Sequence, residues 1–450
     1  MSSVPADLGD AVAYLWRTWR PRWQPHDLEQ WRSASSYAGE LAPLVSRMIH
    51  DGVVPSDTAD PAGEWESFIL ASAIDEVLLE QHPRYRDGSG PRALAYLTTR
   101  WRAHHRLDNG GIAPEYAVTW SGASTLHRDD VVNFFSSTRV VSAADFAQLD
   151  FVALRTHDRL DARSRTVATP LTVGCVPVFD AKEDLTFQFQ PPRYFAVQPT
   201  HPGVTIDRAE SVLLALDEAN VDIGLCPEST IGPGTLQAWQ SAIRASATRP
   251  SRLRWIVIGT GDTDGTDAPP HNRAVLLSRL TGDEITRQSK RHGFSLNAHR
   301  VAEWNLETHF AGATEEILEE YTTYGNSWSI VDDDAFTVAV AICEDLNRID
   351  DAGAALRSFR PSLLLSPILD VEMTKNGWPA QAAGQWMNIC GTITVVANSL
   401  VIARRRGTTS PATALVQNGQ LPSHYDPDIY PGPPDLKASE HFGDVVRFEL

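Results

Sequence analysis

A chain of 450 residues is longer than one ordinary hydrophobic core serves, so two or more domains are expected. With 42% hydrophobic and 21% charged residues it is composed like a soluble globular protein, and a formal net charge of -18 opposes a dedicated partnership with nucleic acid or an anionic membrane. No apolar run reaches the roughly 18 to 20 residues of a membrane span, and no basic flank with an apolar segment opens the chain, so a cytoplasmic location is expected.

The first third reads as helical. Residues 7 to 19 put Val12, Leu15, Trp16 and Trp19 on one helix face, and residues 64 to 79 form a second amphipathic stretch. Polar or glycine-rich loops fall at 52–63, 87–91 and 108–114, and the charged run 155–165 is a linker or a last helix. An accessory helical domain is therefore drawn over residues 1–165. Its segment WRTWRPRW, from Trp16 to Trp23, alternates tryptophan with arginine as a single-strand nucleic-acid platform would. Trp16 and Trp19 already belong to the apolar helix face, so packing is the simpler reading.

From residue 166 the pattern turns to strands separated by helices. Strands are expected at 171–178, 221–226, 253–259, 335–342, 362–365 and 394–397, and helices at 207–220 and 235–247. Residues 274–280 and 284–290, joined by Thr281-Gly282-Asp283, read as a hairpin. Such alternation implies a layered α/β domain over 166–450. Arg404-Arg405-Arg406 reads as a solvated turn, and 422–434, rich in proline, as an extended segment.

Cys175, Cys226, Cys343 and Cys390 are too scattered for a disulfide framework, and no CxxC pair suggests zinc or redox chemistry. No metal or cofactor is expected. Three strand ends stand out instead: the run VDIGLC stops at Pro227-Glu228, the hairpin stops at Lys290, and VAVAI runs into Cys343. Strand ends are rigid and open, which suits reacting groups. A thiol near Glu228 and Lys290 would have a base to take its proton and a cation to stabilise a developing oxyanion. Each residue alone has a plainer reading: an inert core thiol for Cys343, a helix-start carboxylate for Glu228, a solvated strand end for Lys290, and a structural hydrogen-bonder for His292.

CPE at 226–228, KRH at 290–292 and ICED at 342–345 resemble the three signature segments of the nitrilase, or carbon–nitrogen hydrolase, superfamily. Asn272-Arg273-Ala274 and Ala397-Asn398 are similar to two further family positions. The resemblance covers about residues 166–450 and implies a four-layer α-β-β-α sandwich. It implies Glu228 as general base, Lys290 as oxyanion cation, Cys343 as nucleophile, and the backbone N–H of Glu344 as second oxyanion donor. It also implies a second glutamate shortly before a glycine some 18 residues ahead of the cysteine, where Gly325 stands. Glu320 is preferred and Glu319 is the alternative. The stretch from Lys290 to Gly325 is longer than in compact members and carries Glu303, Trp304, Glu307, Glu315 and Glu316, enough to reshape a pocket. Gln385-Trp386-Met387-Asn388 only faintly echoes the family's Arg-x-x-Glu-Asn helix.

The function so implied is hydrolysis of a non-peptide carbon–nitrogen bond in a small amide or nitrile, amide over nitrile because Glu344 follows the cysteine where the nitrile branch usually has tryptophan. An acyltransferase on the same triad is the nearest alternative. A regulated effector, with the helical domain recognising a partner, is the alternative of another class. A homodimer-based assembly is expected, with no nucleic-acid or membrane partner.

Overall fold

The computed structural model describes residues 3–80 apart from 7, 20 and 21, short strands at 106–107, 110–114 and 138–142, and, with brief internal gaps, 145–160, 171–417, 428–431 and 445–450. The loop at 87–91 and most of 422–434 lie outside the described residues. No helix among the described residues is long and apolar enough to cross a membrane.

Four helices, Leu8–Thr18, Pro25–Arg32, Ser35–Asp51 and Glu64–Glu80, open the chain. The two expected there are both present. The last of them is buried from Ser67 to Asp75, so the other three pack around it instead of leaving it one wet face. Trp19 and Trp23 are buried in the same cluster, where Trp23 meets Phe68 edge-on at 6.0 Å and donates its indole N–H to Ser67 Oγ at 3.2 Å. Those two rings are core residues, not a surface platform.

The strands follow in chain order: β1 Arg106–Leu107, β2 Gly110–Pro114, β3 Thr138–Ser142, β4 Leu149–Ala153, β5 Thr172–Cys175, β6 Leu185–Gln190, β7 Tyr194–Pro199, β8 Ile223–Leu225, β9 Trp255–Ile258 and β10 Arg273–Ser278. They continue with β11 Glu284–Ser289, β12 Ser295–Asn297, β13 Ile317–Glu320, β14 Trp328–Asp333, β15 Phe336–Val340, β16 Leu363–Ile368, β17 Ile393–Asn398, β18 Ala412–Gln417, β19 Asp428–Pro431 and β20 Val446–Glu449. The strands expected in the second half are all found, as is the β10–β11 hairpin, where Arg273 pairs with Ser289.

Two large sheets result. One has the order β11-β10-β9-β8-β5-β20, the other β19-β18-β17-β16-β15-β14-β4. They face each other: Val257, Ala274 and Leu276 of the first and Val331, Val338, Val340 and Leu365 of the second line one small interior gap. Alternation along β9 sends Trp255 and Val257 into that interface and Ile256 and Ile258 outward, where they join Leu213, Leu216 and Trp239 of helices Pro202–Glu218 and Thr235–Ser246. A Cβ on Gly224 would lie 2.6 Å from Leu216, so glycine lets that helix settle on the sheet. On the far side, helix Trp378–Cys390 covers β17 and β18. The order is helix, sheet, sheet, helix, a four-layer α/β sandwich.

The structure departs from the sequence reading at four places. β1, β2 and β3 form a three-stranded antiparallel sheet in a third of the chain expected to be helical, and β2 occupies the stretch 108–114 expected to be a loop. β4 pairs in parallel with β14, so the second sheet takes in chain upstream of residue 165, with Phe151 packed edge-on against Phe359 at 5.5 Å. β6 and β7 form an unforeseen hairpin that joins β12 and β13 in a small sheet of order β12-β13-β7-β6. Arg404–Arg406 end helix Val401–Arg406 instead of forming a turn; Arg404 pairs with Asp180, Arg406 with Glu303, and Gly407 ends the helix at φ 76°.

Candidate active site

The apolar run ahead of Cys343 is buried because it forms the middle of the second sheet, and the chain must turn sharply where the run ends. Cys343 makes that turn at φ 48° and ψ -107°, outside the ordinary wells for a residue with a Cβ, at a cost of about 1–3 kcal/mol. Its surroundings hold it there. The Cys343 N–H donates to Pro367 O at 3.0 Å, and the single helical turn Glu344–Asn347 follows at once.

Glu228 arrives from the facing sheet. After β8 the Cys226 N–H donates to Val257 O at 2.9 Å, and the Glu228 N–H donates to Ile368 O at 3.2 Å. The last two residues of β16 therefore hold the cysteine of their own sheet and the glutamate of the other. Gly259 makes the approach possible, since a Cβ there would fall 1.4 Å from Pro227 O.

Lys290 follows β11, with its N–H donating to Asn272 O at 2.8 Å. Its side chain is 1% exposed, and Nζ donates to Glu228 Oε1 at 2.8 Å and Glu320 Oε2 at 2.6 Å. Asn272 Nδ2 closes the square, donating to Glu228 Oε1 at 2.9 Å and Glu320 Oε1 at 2.7 Å. The Phe294 N–H adds a third donor to Glu320, at 3.0 Å.

These contacts set the ionisation of the group. Burial pushes the Glu228 carboxyl up, Lys290 opposes that, and Glu320 adds to it. For Lys290, burial alone would lower the ammonium's pKa; Glu228, Glu320 and Cys343 outweigh burial and hold it well above the ordinary value. The Cys343 thiol is pushed well up, first by burial and then by Glu228, with Lys290 opposing. The site thus holds a neutral thiol beside a carboxyl and a fixed cation. Cys226, two residues before Glu228, is a core thiol that burial pushes up to about 12.

The structure brings Glu228, Lys290, Cys343 and Glu320 together and turns Glu319 away. Successive strand residues point to opposite faces, and the pairing of Glu320 with Phe195 across β13 and β7 fixes which one faces inward. Glu319 meets Arg193 at 3.4 Å instead, with its side chain 42% exposed. The Glu344 side chain pairs with Arg348 at 2.8 Å, leaving its backbone N–H at the first helical position, where no intrahelical acceptor exists.

Two supporting residues carry more than the sequence suggested. Asn272, legible only as a hairpin start, bridges both carboxylates. Asp345 reads as a first-turn complement to a helix dipole; it is fully buried and accepts the N–H groups of Arg291, at 3.0 Å, and His292, at 2.8 Å, with the His292 ring at 3.1 Å. It ties the chain after Lys290 to the elbow of Cys343. The available signal was two adjacent carboxylates after the cysteine, of which a short helix on the sheet buries one.

All four inward groups border one cleft of about 710 Å³ including its open mouth, with about 80 Å³ of free interior. The small sheet walls it, contributing Phe187, Phe195 and Glu320, while Phe294 and Trp304 come from the long stretch after Lys290.

No protein-family model matches the sequence, and no curated protein matches it. Solved structures of nitrilase-superfamily proteins do match. Among them is Nit3 of Saccharomyces cerevisiae, a member of branch 10 of that superfamily, with a TM-score of 0.38, 11% identity, and 56% of this chain and 83% of that one covered. An amidase from Nesterenkonia sp. matches at 0.37 and 12%, over 59% of this chain and 88% of its own. The glutamine-dependent NAD+ synthetase from Acinetobacter baumannii matches at 0.38 and 12%, over 59% and 45%. Likeness at this level assigns no chemistry; the geometry of the site has to carry it.

Proposed function

We propose that this chain is a hydrolase of non-peptide carbon–nitrogen bonds, acting on amides in preference to nitriles through a thioester on Cys343. The observation that carries the reading is the join of a strained cysteine elbow to a fully buried lysine held by two carboxylates, all bordering one cleft. A purely structural ion pair needs neither the thiol nor the cleft.

Glu228 takes the thiol proton as the sulfur bonds to the amide carbonyl carbon, and the carbonyl π pair moves onto oxygen. The Lys290 ammonium and the Glu344 N–H stabilise that oxyanion; fixed donors of this kind act most strongly in a site shielded from water. The intermediate collapses as the C–N bond breaks and the amine leaves with the proton from Glu228. Water then gives a proton to Glu228 while its oxygen bonds to the thioester carbon, the C–S bond breaks, and the sulfur recovers the proton as the acid departs. Glu320 and Asn272 are positioning residues here, holding Lys290 and Glu228 to each other.

The test is a panel of small amides and nitriles, followed by intact mass of the protein quenched in acid. A mass increase equal to the acyl group, mapped to Cys343 and lost in Cys343→Ala along with turnover, is expected. Labelling of Cys226 or Cys390 with turnover surviving Cys343→Ala would overturn the mechanism. Adding an amine acceptor separates hydrolysis from acyl transfer, since a transferase would yield the new amide and little free acid.

A further inference from the structure

The cleft above Cys343 combines a charged floor with an aromatic wall. Its floor holds two carboxylates to one ammonium, and that ammonium already donates to both. Lys290 is the one lysine or arginine among the described residues lining the cleft.

Phe294 and Trp304 in the wall stack with ring centroids 5.5 Å apart and planes 10° from parallel, and the Arg300 guanidinium lies 4.7 Å from the Phe294 ring. Phe294 is also fastened to Glu320. Its N–H donates to the Glu320 carboxylate at 3.0 Å, and its carbonyl accepts the Glu320 N–H at 2.9 Å. Wall and charged floor are thus one rigid unit.

We propose that the acyl group taken by this cleft is uncharged and carries a flat ring, so that aryl-bearing amides are selected over amides whose acyl chain ends in a carboxylate, with Phe294 and Trp304 as specificity-determining residues. The inference rests on the hydrolase reading above. A carboxylate brought into the cleft would be stripped of water beside two others, with the Lys290 ammonium already committed to both. A ring gains the apolar area of the wall and offset or edge-on contact with its rings.

Phenylacetamide, butyramide and succinamic acid serve as probes of the three classes. The wild-type kcat/KM is expected to be about 10²-fold higher for phenylacetamide than for succinamic acid, the scale set by leaving one charge unpaired in a buried site, with butyramide between them. Trp304→Ala should lower kcat/KM for phenylacetamide about tenfold more than for butyramide, chiefly through KM. Trp304→Leu keeps more bulk and serves if the alanine variant fails to fold, as circular dichroism would reveal. Succinamic acid equal to or better than phenylacetamide, or butyramide ahead of phenylacetamide, overturns the inference. If no amide acylates Cys343, the hydrolase reading falls first. Calorimetry on Cys343→Ala then decides the inference alone: tighter binding of phenylacetamide than of succinamic acid keeps it, and equal or undetectable binding of both ends it.

Discussion

Two buried charge clusters in the same half of the molecule are built on different arithmetic. On the outer helical layer, Arg279 and Asp217 form a one-to-one pair, 1% and 8% exposed, with guanidinium nitrogens 3.3 and 2.7 Å from the two carboxylate oxygens. Arg279 also donates to Ser246 O at 3.2 Å, so the pair fastens the two outer helices to the β10–β11 turn. At the cleft, one ammonium serves two carboxylates and leans on a thiol. Balanced charge with its hydrogen bonds filled holds layers together. The unbalanced set keeps a raised carboxyl and a raised thiol poised beside a fixed cation, an arrangement suited to moving a proton.

Removing the cation from each cluster should separate the two roles. Lys290→Met is expected to lower turnover by about 10² to 10⁴-fold, the range for loss of an oxyanion donor, as measured by steady-state kinetics. Arg279→Met should leave kcat/KM within about twofold while costing about 3–5 kcal/mol of stability, because it strands a buried Asp217, as measured by denaturant unfolding. Near-normal turnover in Lys290→Met, or a large kinetic loss in Arg279→Met, would erase the distinction.

A smaller effect tests the two adjacent glutamates. Glu320→Gln should lower kcat by about 10 to 10²-fold, since Lys290 then keeps a single charged partner. Glu319→Gln weakens only an exposed pair with Arg193 and should stay close to wild type. Equal, mild losses in the two variants would mean that neither glutamate acts through Lys290.

That contrast also marks how far the sequence could be read. Cys343 and Glu228 were legible because each follows an apolar strand, which announces its own end, and Lys290 because it closes the hairpin turned at Thr281-Gly282-Asp283. Glu319 and Glu320 could not be separated, because the choice depends on the register of β13 against β7, and the hairpin carrying β7 had not been recognised. Its alternating sequence, LTFQFQ, was the overlooked signal. Asp345 does lie in the first turn of the helix after Cys343, but its tie to the chain after Lys290 was not legible, for another reason. Its partners are the N–H groups of Arg291 and His292, more than fifty residues back in the chain, and only the folded elbow brings them within reach. The outer pair of Arg279 and Asp217 was invisible on the same grounds.

The finest test concerns the proton itself. On the mechanism proposed, Glu228 must be ionised to take the thiol proton, so kcat/KM should fall as pH drops through the Glu228 pKa. Burial and Glu320 hold that pKa up, so the acid limb should lie above the roughly 4.3 of an ordinary glutamate. The sign of each substitution then follows. Glu320→Gln removes a neighbouring negative charge, makes ionisation of Glu228 easier, and should move the limb to lower pH. Lys290→Met removes the stabilising cation and should move it to higher pH, in whatever activity remains. Opposite shifts from the two partners of one ammonium are hard to obtain from damage to packing, which would lower the rate without moving the limb. A limb that stayed in place in both variants would show that the titrating group lies elsewhere, and Glu228 would lose its role as the base.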